Sequence, residues 1–390
     1  MWISQYGPLM FKGLIRHAVA AMVSGVCLGA ISARADAPAA ANYTVEKGDI
    51  QGAAFAIALP PGQWNRKILL LAHGYRPVTA PLLADLHPER ASLKAALDDG
   101  WIVATTSFRR NGMVVGDSIA DMDALRAYIV NEFGAPERVI LEGESMGGLI
   151  VTIMAERDKA LYDGAIVFDS TFYVKEPNGQ IGISLLPRIP LLLVATQKEY
   201  LQSMRYVTSL VSRPSPTVQP VLFVIQREGH TNINQAEHLE AFQAMNDWIE
   251  RGSDALPQPK NQAQYFDATI PADPGPSTAE VDSEAHSIGS RVAEVDAVYG
   301  NVLLEAEAQD FQAAGIPLMT YFTLEVNGKS YRTLYARTYA DVKEGEWVAF
   351  ADADGRTVAA RFMADAAKTA GLSVGTPVKM TAAAGATPSR

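Results

Sequence analysis

The fold of this chain is decided by one stretch of sequence, which runs from Val139 to Val151 and reads Val-Ile-Leu-Glu-Gly-Glu-Ser-Met-Gly-Gly-Leu-Ile-Val. Its apolar start predicts a buried strand and its apolar end predicts the first turns of a helix, with the sharp turn Gly-Glu-Ser-Met-Gly between them. A serine on such a turn is held in a strained backbone conformation that pushes its hydroxyl out of the sheet, and the glycines let strand and helix pass closely. Ser145 is therefore a candidate nucleophile, and the rest of the chain should supply its partners.

Short apolar strands alternate with amphipathic helices on both sides of this stretch. The predicted strands are 53–59, 67–72, 102–107, 139–142, 165–169, 191–195 and 221–225. Several are continuous apolar runs, as a strand covered on both faces requires, and residues 116–133 carry an apolar stripe with helical spacing. The pattern predicts an α/β fold with a mostly parallel sheet and helices on both faces. Its functional site is expected at the carboxyl ends of the strands.

The sequence His73-Gly74-Tyr75 follows the predicted strand 67–72. The tetrahedral intermediate of acyl transfer needs two backbone N–H donors, one from the residue after the serine and one from a loop after an early strand. We expect this oxyanion hole to be formed by Met146 and Tyr75. The alternative is that Gly74 only makes a turn and Tyr75 only packs. His73 ends a buried strand and is expected to be structural.

The general base should follow the last strand, and His230 lies five residues after 221–225. Histidine titrates near neutral pH, so it can accept the serine proton and return it to a leaving group. The other histidines are less suitable: His87 lies in a proline-containing loop, His238 lies within the predicted terminal helix, and His286 lies beyond the sheet.

The third member of a catalytic triad is an acid in a loop after a late strand. Glu199 lies in the loop after strand 191–195, where an aspartate would be usual, and Asp169 ends the preceding strand. We favour Glu199, and Asp169 is its rival. The alternative for either is an ordinary surface or helix-capping carboxylate.

Composition and the first 35 residues bear on domains and location. The 390 residues are 48% hydrophobic and 19% charged, which favours two domains. Lys12 and Arg16 precede an apolar run at 18–31, and Ala-Arg-Ala follows at 33–35, which is typical of a cleaved secretory signal too short to span a bilayer. The alternative is a buried N-terminal helix. We expect a secreted or periplasmic protein with no membrane span.

Charge and cysteine content exclude several classes of partner. Cleavage after residue 35 would remove three basic residues and no acidic one, so the formal charge would change from −10 to about −13. Such a protein is a poor candidate for binding nucleic acid or an anionic membrane surface. Cys27 lies in the signal, so the mature chain is expected to have no disulfide or thiolate metal site. We find no metal or cofactor motif.

The composition changes after residue 252. Five prolines within 253–280 predict a linker, and 281–385 is expected to form a second domain. There, alternating patterns at 291–296 and 318–326, the turn Asn327-Gly328 and a return at 331–335 predict a small sheet or barrel.

Residues 50–252 resemble the α/β-hydrolase superfamily of the serine esterase type, in strand order, in the turn around Ser145 and in the order Ser, acid, His. The resemblance implies attack by Ser145, an acyl-enzyme and its hydrolysis by water activated through His230. The departure is the loop that carries Glu199. Phe172 and Tyr173, in the connection 170–190, either form a wall of the substrate pocket or pack that connection.

The C-terminal part resembles the C-terminal barrel of the S-adenosylmethionine hydroxide adenosyltransferases. The resemblance is carried by 295–301 (Val-Asp-Ala-Val-Tyr-Gly-Asn), 338–342 (Thr-Tyr-Ala-Asp-Val) and 366–378. It implies a barrel that, in that family, helps to hold a nucleoside at a subunit boundary, with Asn301 as the position to watch. The family's catalytic N-terminal domain is replaced here by the hydrolase, so oligomer assembly or covering of the neighbouring active site is the favoured use.

Two functions follow as hypotheses. The first is an exported serine hydrolase that cleaves small-molecule or polymeric carboxylic esters without a cofactor. We prefer esters to peptides because no propeller-like or cap domain is visible in the sequence. The second is a binding or assembly protein, with a hydrolase-like scaffold and a barrel that binds a nucleoside or another subunit.

Overall fold

The computed structural model describes residues 43–157, 161–172, 174–176, 179–197, 199–209, 217–256 and 277–383. The predicted signal segment, residues 257–276 of the predicted linker, and Tyr173 lie outside the described residues.

The first half of the chain forms one eight-stranded sheet, with the strand order β1-β2-β4-β3-β5-β6-β9-β10. The strands of this half are β1 (Thr44–Ile50), β2 (Ala53–Leu59), β3 (Lys67–Ala72), β4 (Ile102–Thr106), β5 (Arg138–Glu144), β6 (Gly164–Phe168), the hairpin strands β7 (Val174–Glu176) and β8 (Gly179–Ile181), β9 (Leu191–Thr196) and β10 (Val221–Ile225). β2 is antiparallel to both β1 and β4, and the strands from β4 to β10 in this order are parallel.

Helices cover both faces of this sheet: α1 (Ala91–Asp98), α2 (Val115–Phe133), α3 (Met146–Glu156), α4 (Tyr200–Ser209) and α5 (Gln235–Arg251). Side chains alternate along a strand, so Leu70 of β3 packs in the core with α2 and α3, while Leu69 packs in the core with α1 and α5. The central strands are apolar on both faces for this reason. The predicted α/β-hydrolase fold class is confirmed by this strand order and layering.

The second half forms a barrel. Its elements are β11 (Glu280–Asp282), β12 (Ser287–Val295), β13 (Val302–Glu307), α6 (Ala308–Ala313), β14 (Thr320–Val326), β15 (Lys329–Tyr335), β16 (Trp347–Ala351), β17 (Arg356–Arg361), α7 (Ala366–Ala370) and β18 (Pro377–Ala382). Seven strands follow the order β12-β13-β17-β16-β15-β14-β18, and β18 pairs with β12 to close the ring, while β11 adds to β12. Phe311 and Phe322 are fully buried at its centre. The predicted barrel is confirmed.

The described residues at both ends of the predicted linker pack against the neighbouring domains. Ser253–Ala255 form a 3-10 helix, and Leu256 is buried in the core beneath α5. Ala279 packs against the barrel core. Among the helices described, none is both long enough and apolar enough to cross a bilayer.

Candidate active site

Ser145 lies between β5 and α3 with a backbone φ of 54° and ψ of −118°. A positive φ is strained for a residue with a side chain. The flanking glycines are required sterically: a Cβ on Gly147 would lie 1.9 Å from the carbonyl oxygen of Ala72, and one on Gly143 would lie 2.3 Å from that of Gly147. The turn therefore brings the serine out of the sheet at the carboxyl end of β5, as the sequence predicts.

His230 lies in the loop after β10, and its Nε2 is 2.8 Å from Ser145 Oγ. The loop is held from within, because Arg227 donates to the carbonyl of Asn232 at 2.9 Å and pairs with Glu237 at 2.8 Å. The imidazole itself is 44% exposed on its side chain. The two residues predicted as nucleophile and base, 85 positions apart, are thus within hydrogen-bond distance.

The two candidate acids occupy different places. Glu199 Oε1 lies 3.4 Å from His230 Nδ1, an ion-pair distance, and the Glu199 side chain is 17% exposed. Asp169 is fully buried, and its two oxygens accept the backbone N–H groups of Thr196 and Thr231, each at 2.7 Å. Among the residues described, the carboxylate within ion-pair distance of His230 is that of Glu199.

Asp169 instead ties together the ends of β6 and β9 and the His230 loop. Burial raises the pKa of Asp169 to about 6, although the hydrogen bonds from Thr196 and Thr231 and the charge of His230 act in the opposite direction. Thr196 Oγ1 lies 3.0 Å from Asp169 Oδ2 and 2.7 Å from the Gly229 carbonyl oxygen. Thr196 is not among the site residues predicted from the sequence, although a hydroxyl residue that ends a buried strand is a recognisable signal.

Of the two predicted oxyanion donors, Met146 directly follows the serine, and Tyr75 follows Gly74, which lies close to it. The Met146 N–H is the first of helix α3, and a helix leaves its first N–H groups without partners inside the helix, at its positive end. On the other side, a Cβ on Gly74 would lie 3.4 Å from Ser145 Cβ and 3.9 Å from Ser145 Oγ. The backbone that leads into Tyr75 therefore passes beside the serine hydroxyl.

His73 contacts backbone carbonyls with both ring nitrogens, Nδ1 with Gly74 at 2.6 Å and Nε2 with Ser107 at 3.1 Å, and its ring lies against Phe108. Burial, with a smaller contribution from Arg76, lowers the pKa of His73 to about 4. The imidazole is therefore neutral at neutral pH. It has one N–H to donate, so one of its two carbonyl contacts is a hydrogen bond from the ring.

The other histidines that the structure describes have other partners. His87 contacts Asp85 at 3.2 Å. His238 of α5 lies 3.7 Å from Glu142 of β5, and His286 of the barrel contacts the backbone carbonyl of Ala314 at 3.1 Å.

Two further residues singled out in the sequence are described by the structure. Phe172 stacks on Tyr206 of α4 with ring centroids 5.0 Å apart, so it packs the connection between β6 and β9. Asn301 lies at the start of β13, and its side-chain oxygen is buried with no hydrogen-bond partner in the described part of the chain.

Comparisons with known proteins give different matches for the two halves of the chain. Among solved structures, Pyrococcus horikoshii acylaminoacyl peptidase matches at 11% identity and a TM-score of 0.42, covering 54% of this chain and 42% of the peptidase. TT1662 from Thermus thermophilus matches at 16% identity and a TM-score of 0.40, covering 53% of this chain and 98% of its own. Est1E from Butyrivibrio proteoclasticus matches at 12% identity and a TM-score of 0.36, with coverages of 53% and 98%.

The chain thus spans less than half the length of the acylaminoacyl peptidase. A comparison with curated protein sequences gives no match. The C-terminal half has a family match of its own: residues 290–379 match the SAM hydroxide adenosyltransferase C-terminal domain.

Proposed function

We propose that this protein is a serine hydrolase that cleaves carboxylic esters through an acyl-enzyme on Ser145. The observation that carries the proposal is the 2.8 Å contact between Ser145 Oγ, on its strained turn, and His230 Nε2. A nucleophile in contact with a base, which a third group in turn orients, is the general signature of covalent catalysis by serine.

The chemistry proceeds in two halves. Ser145 Oγ attacks the ester carbonyl carbon while His230 Nε2 accepts its proton, and the carbonyl oxygen becomes an oxyanion facing the N–H groups of Tyr75 and Met146. The C–O bond to the alcohol then breaks, and the alcohol leaves with the proton from His230. Water attacks the acyl-enzyme with His230 as base, which releases the carboxylic acid and restores Ser145.

Glu199 serves in this proposal as the acid. Its contact with His230 Nδ1 favours the tautomer that leaves Nε2 free to accept a proton, and it stabilises the imidazolium that forms. The competing hypothesis is a scaffold that only binds or assembles, and the absence of the usual aspartate from this loop favours it. A carboxylate 3.4 Å from the His230 ring could act in place of that aspartate, which supports the enzyme.

Ester specificity, export and assembly are further parts of the proposal. Esters are preferred because an alcohol leaves more readily than an amine and because the described connection between β6 and β9 adds a small hairpin rather than a domain that could select a peptide. Export rests on the segment 1–35, and homo-oligomer formation through the barrel rests on the resemblance alone.

The test is hydrolysis of short-chain p-nitrophenyl esters together with labelling by a fluorophosphonate probe. Wild type should hydrolyse the ester and be labelled on Ser145, and Ser145→Ala should lose both, with kcat falling by about 10⁴-fold or more. Glu199→Gln, which keeps the shape and removes the charge, should lower kcat by about 10²-fold or more.

Ser373→Ala is the matched control, because Ser373 is an exposed serine of the barrel. It should leave turnover and labelling unchanged. Wild type that shows neither turnover nor labelling would refute the hydrolase and favour the scaffold. Full turnover in Glu199→Gln would remove Glu199 from the site.

A further inference from the structure

The barrel contacts the loop that carries the predicted oxyanion donor. The hydroxyl of Tyr299 donates a hydrogen bond to the backbone carbonyl of Tyr75. Tyr299 lies in the turn between β12 and β13, and this turn is itself well held. Asp296 accepts the backbone N–H groups of Val298 at 2.7 Å and Tyr299 at 2.9 Å. The donor is therefore presented by a fixed turn of the barrel.

Each of three successive carbonyl groups in the loop after β3 has a contact. Gly74 O lies 2.6 Å from His73 Nδ1, Tyr75 O accepts from Tyr299, and Arg76 O accepts the N–H of Gly112 at 2.9 Å. A trans peptide is planar, with its C=O and N–H pointing in opposite directions. The Tyr75 N–H shares a peptide unit with the Gly74 carbonyl, and the Tyr75 carbonyl belongs to the next unit. The contacts at Gly74 O and Tyr75 O therefore hold the backbone on both sides of the Tyr75 Cα.

Two of these contacts come from the hydrolase domain and the third comes from the barrel. If the Tyr299 contact were removed, the peptide unit after Tyr75 would lose its restraint, and the Tyr75 backbone, with the N–H on its other side, could shift. The oxyanion forms only during the reaction, so a change in the direction of its donors affects the transition state more than the bound ester.

The barrel also contacts the helix that follows the His230 loop. Asp354, in the turn between β16 and β17, accepts the backbone N–H of Gln235 at 3.0 Å. Gln235 is the first residue of α5, whose N-cap is Asn234. A carboxylate at this end of a 17-residue helix is favourable because the end carries a partial positive charge. The two barrel turns thus contact the backbone of the loop that precedes Ser145 in the sequence and the start of the helix that follows the His230 loop.

Charges at the first contact are complementary. The Arg76 guanidinium is 5% exposed, and its Nη1 donates to the carbonyl of Leu83 at 2.5 Å. Burial lowers the pKa of Arg76, while nearby Tyr299, Asp85 and Asp296 act in the opposite direction. A buried cation of the hydrolase loop therefore lies close to the acidic turn of the barrel.

From these contacts we propose that Tyr299 is a positioning residue of the hydrolase and that the barrel is part of the catalytic unit in cis. The proposal rests on the proposed serine hydrolase activity. Tyr299 restrains the backbone that carries the Tyr75 N–H by holding the Tyr75 carbonyl, and Asp354 supports the start of α5 next to the loop that carries the base.

The test is Tyr299→Phe in the full chain, measured with p-nitrophenyl butyrate. Loss of one hydrogen bond that orients a transition-state donor should lower kcat by about fivefold, with KM changed less than about twofold. Fluorophosphonate labelling of Ser145 should slow by a similar factor, because phosphonylation also places an oxygen in the oxyanion hole. Tyr331→Phe is the matched control, since Tyr331 packs on Trp347 within the barrel; it should retain the wild-type kcat.

The contact between Asp354 and Gln235 allows a second, independent test. Asp354→Ala should lower kcat, and Asp354→Asn, which keeps an acceptor oxygen for the Gln235 N–H, should restore most of it. Thermal unfolding of each variant shows whether the barrel has been destabilised. The rates are compared at a temperature where all variants are folded, so that a change in kcat reports on the position of the loop.

The outcomes distinguish the two proposals. Wild type without turnover or labelling refutes the hydrolase itself. An active wild type with unchanged kcat in Tyr299→Phe overturns the positioning role and leaves the hydrolase intact. A rise in KM at constant kcat would also overturn it, because Tyr299 would then act on the bound ester.

Discussion

Asp169 provides a quantitative test of how the site is built. Thr196 Oγ1 has one proton but lies against two acceptors, the Asp169 carboxyl at 3.0 Å and the Gly229 carbonyl at 2.7 Å. The backbone N–H groups of Thr196 and Thr231 and the Thr196 hydroxyl favour the ionised carboxylate, but burial outweighs them and raises the pKa of Asp169 to about 6.

This pKa has a definite sign and size in stability. The pKa of Asp169 in the folded state lies above the reference value of 3.8, so the folded state holds the proton more tightly than the unfolded state does. The free energy of unfolding is therefore highest below pH 3.8 and falls as the pH rises through about 6. At about 1.36 kcal/mol for each pKa unit, the ionised group costs about 3 kcal/mol at high pH. About 2 kcal/mol of this stability is lost between about pH 4.5 and about pH 7.5.

Asp169→Asn removes the titration and keeps a similar shape. We expect the free energy of unfolding of Asp169→Asn minus that of wild type to increase by about 2 kcal/mol from about pH 4.5 to about pH 7.5. The difference in free energy of unfolding also contains a part that does not depend on pH, because asparagine leaves one backbone N–H facing its own amide group.

The measurement is urea unfolding at several pH values, with the same slope against urea required of both proteins. Thr196→Val tests the same account from the other side: it removes a hydroxyl whose hydrogen bond lowers the pKa of Asp169, so the stability of this variant should fall more steeply with pH than that of wild type. A difference between Asp169→Asn and wild type that stays constant across this pH range would refute the buried-acid description.

Two further substitutions test the supports of the site. Gly147→Ala places a Cβ 1.9 Å from the carbonyl oxygen of Ala72, a backbone atom that cannot move aside, so we expect a loss of about 3 kcal/mol or more in urea unfolding and slower fluorophosphonate labelling. Glu156 accepts the backbone N–H groups of 184–185 and the hydroxyl of Tyr206, so Glu156→Gln should lose about 2 kcal/mol in urea unfolding. A Glu156→Gln protein as stable as wild type would contradict that account.

The central sheet could be predicted because its strands are covered on both faces. The strands β2, β3 and β10 begin and end at the predicted residues. β1 was not predicted, since its sequence Thr-Val-Glu-Lys-Gly-Asp-Ile is polar and mostly exposed, and what makes it a strand is its antiparallel pairing with β2. Edge strands of this kind depend on a partner rather than on their own pattern.

The positions of Ser145 and His230 could be predicted because each follows a strand whose end is fixed by the sheet. The choice between Glu199 and Asp169 could not be made in the same way. Both carboxylates follow parallel strands, and their separation depends on loop conformation, where the N–H groups of Thr196 and Thr231 bind Asp169 and leave Glu199 to face the imidazole.

The contact between Tyr299 and Tyr75 could not be predicted from the sequence, for a different reason. A barrel can be predicted from its own strands, but which of its turns meets the hydrolase depends on how two domains pack, and no periodicity along the chain records that. The consequence is chemical. His73 is part of β3's own end and Gly112 belongs to the loop before α2, so altering either contact disturbs the hydrolase core. The Tyr299 hydroxyl can be removed without changing any residue of that core. It is therefore the contact through which the backbone at Tyr75 can be loosened independently of the fold that presents Ser145.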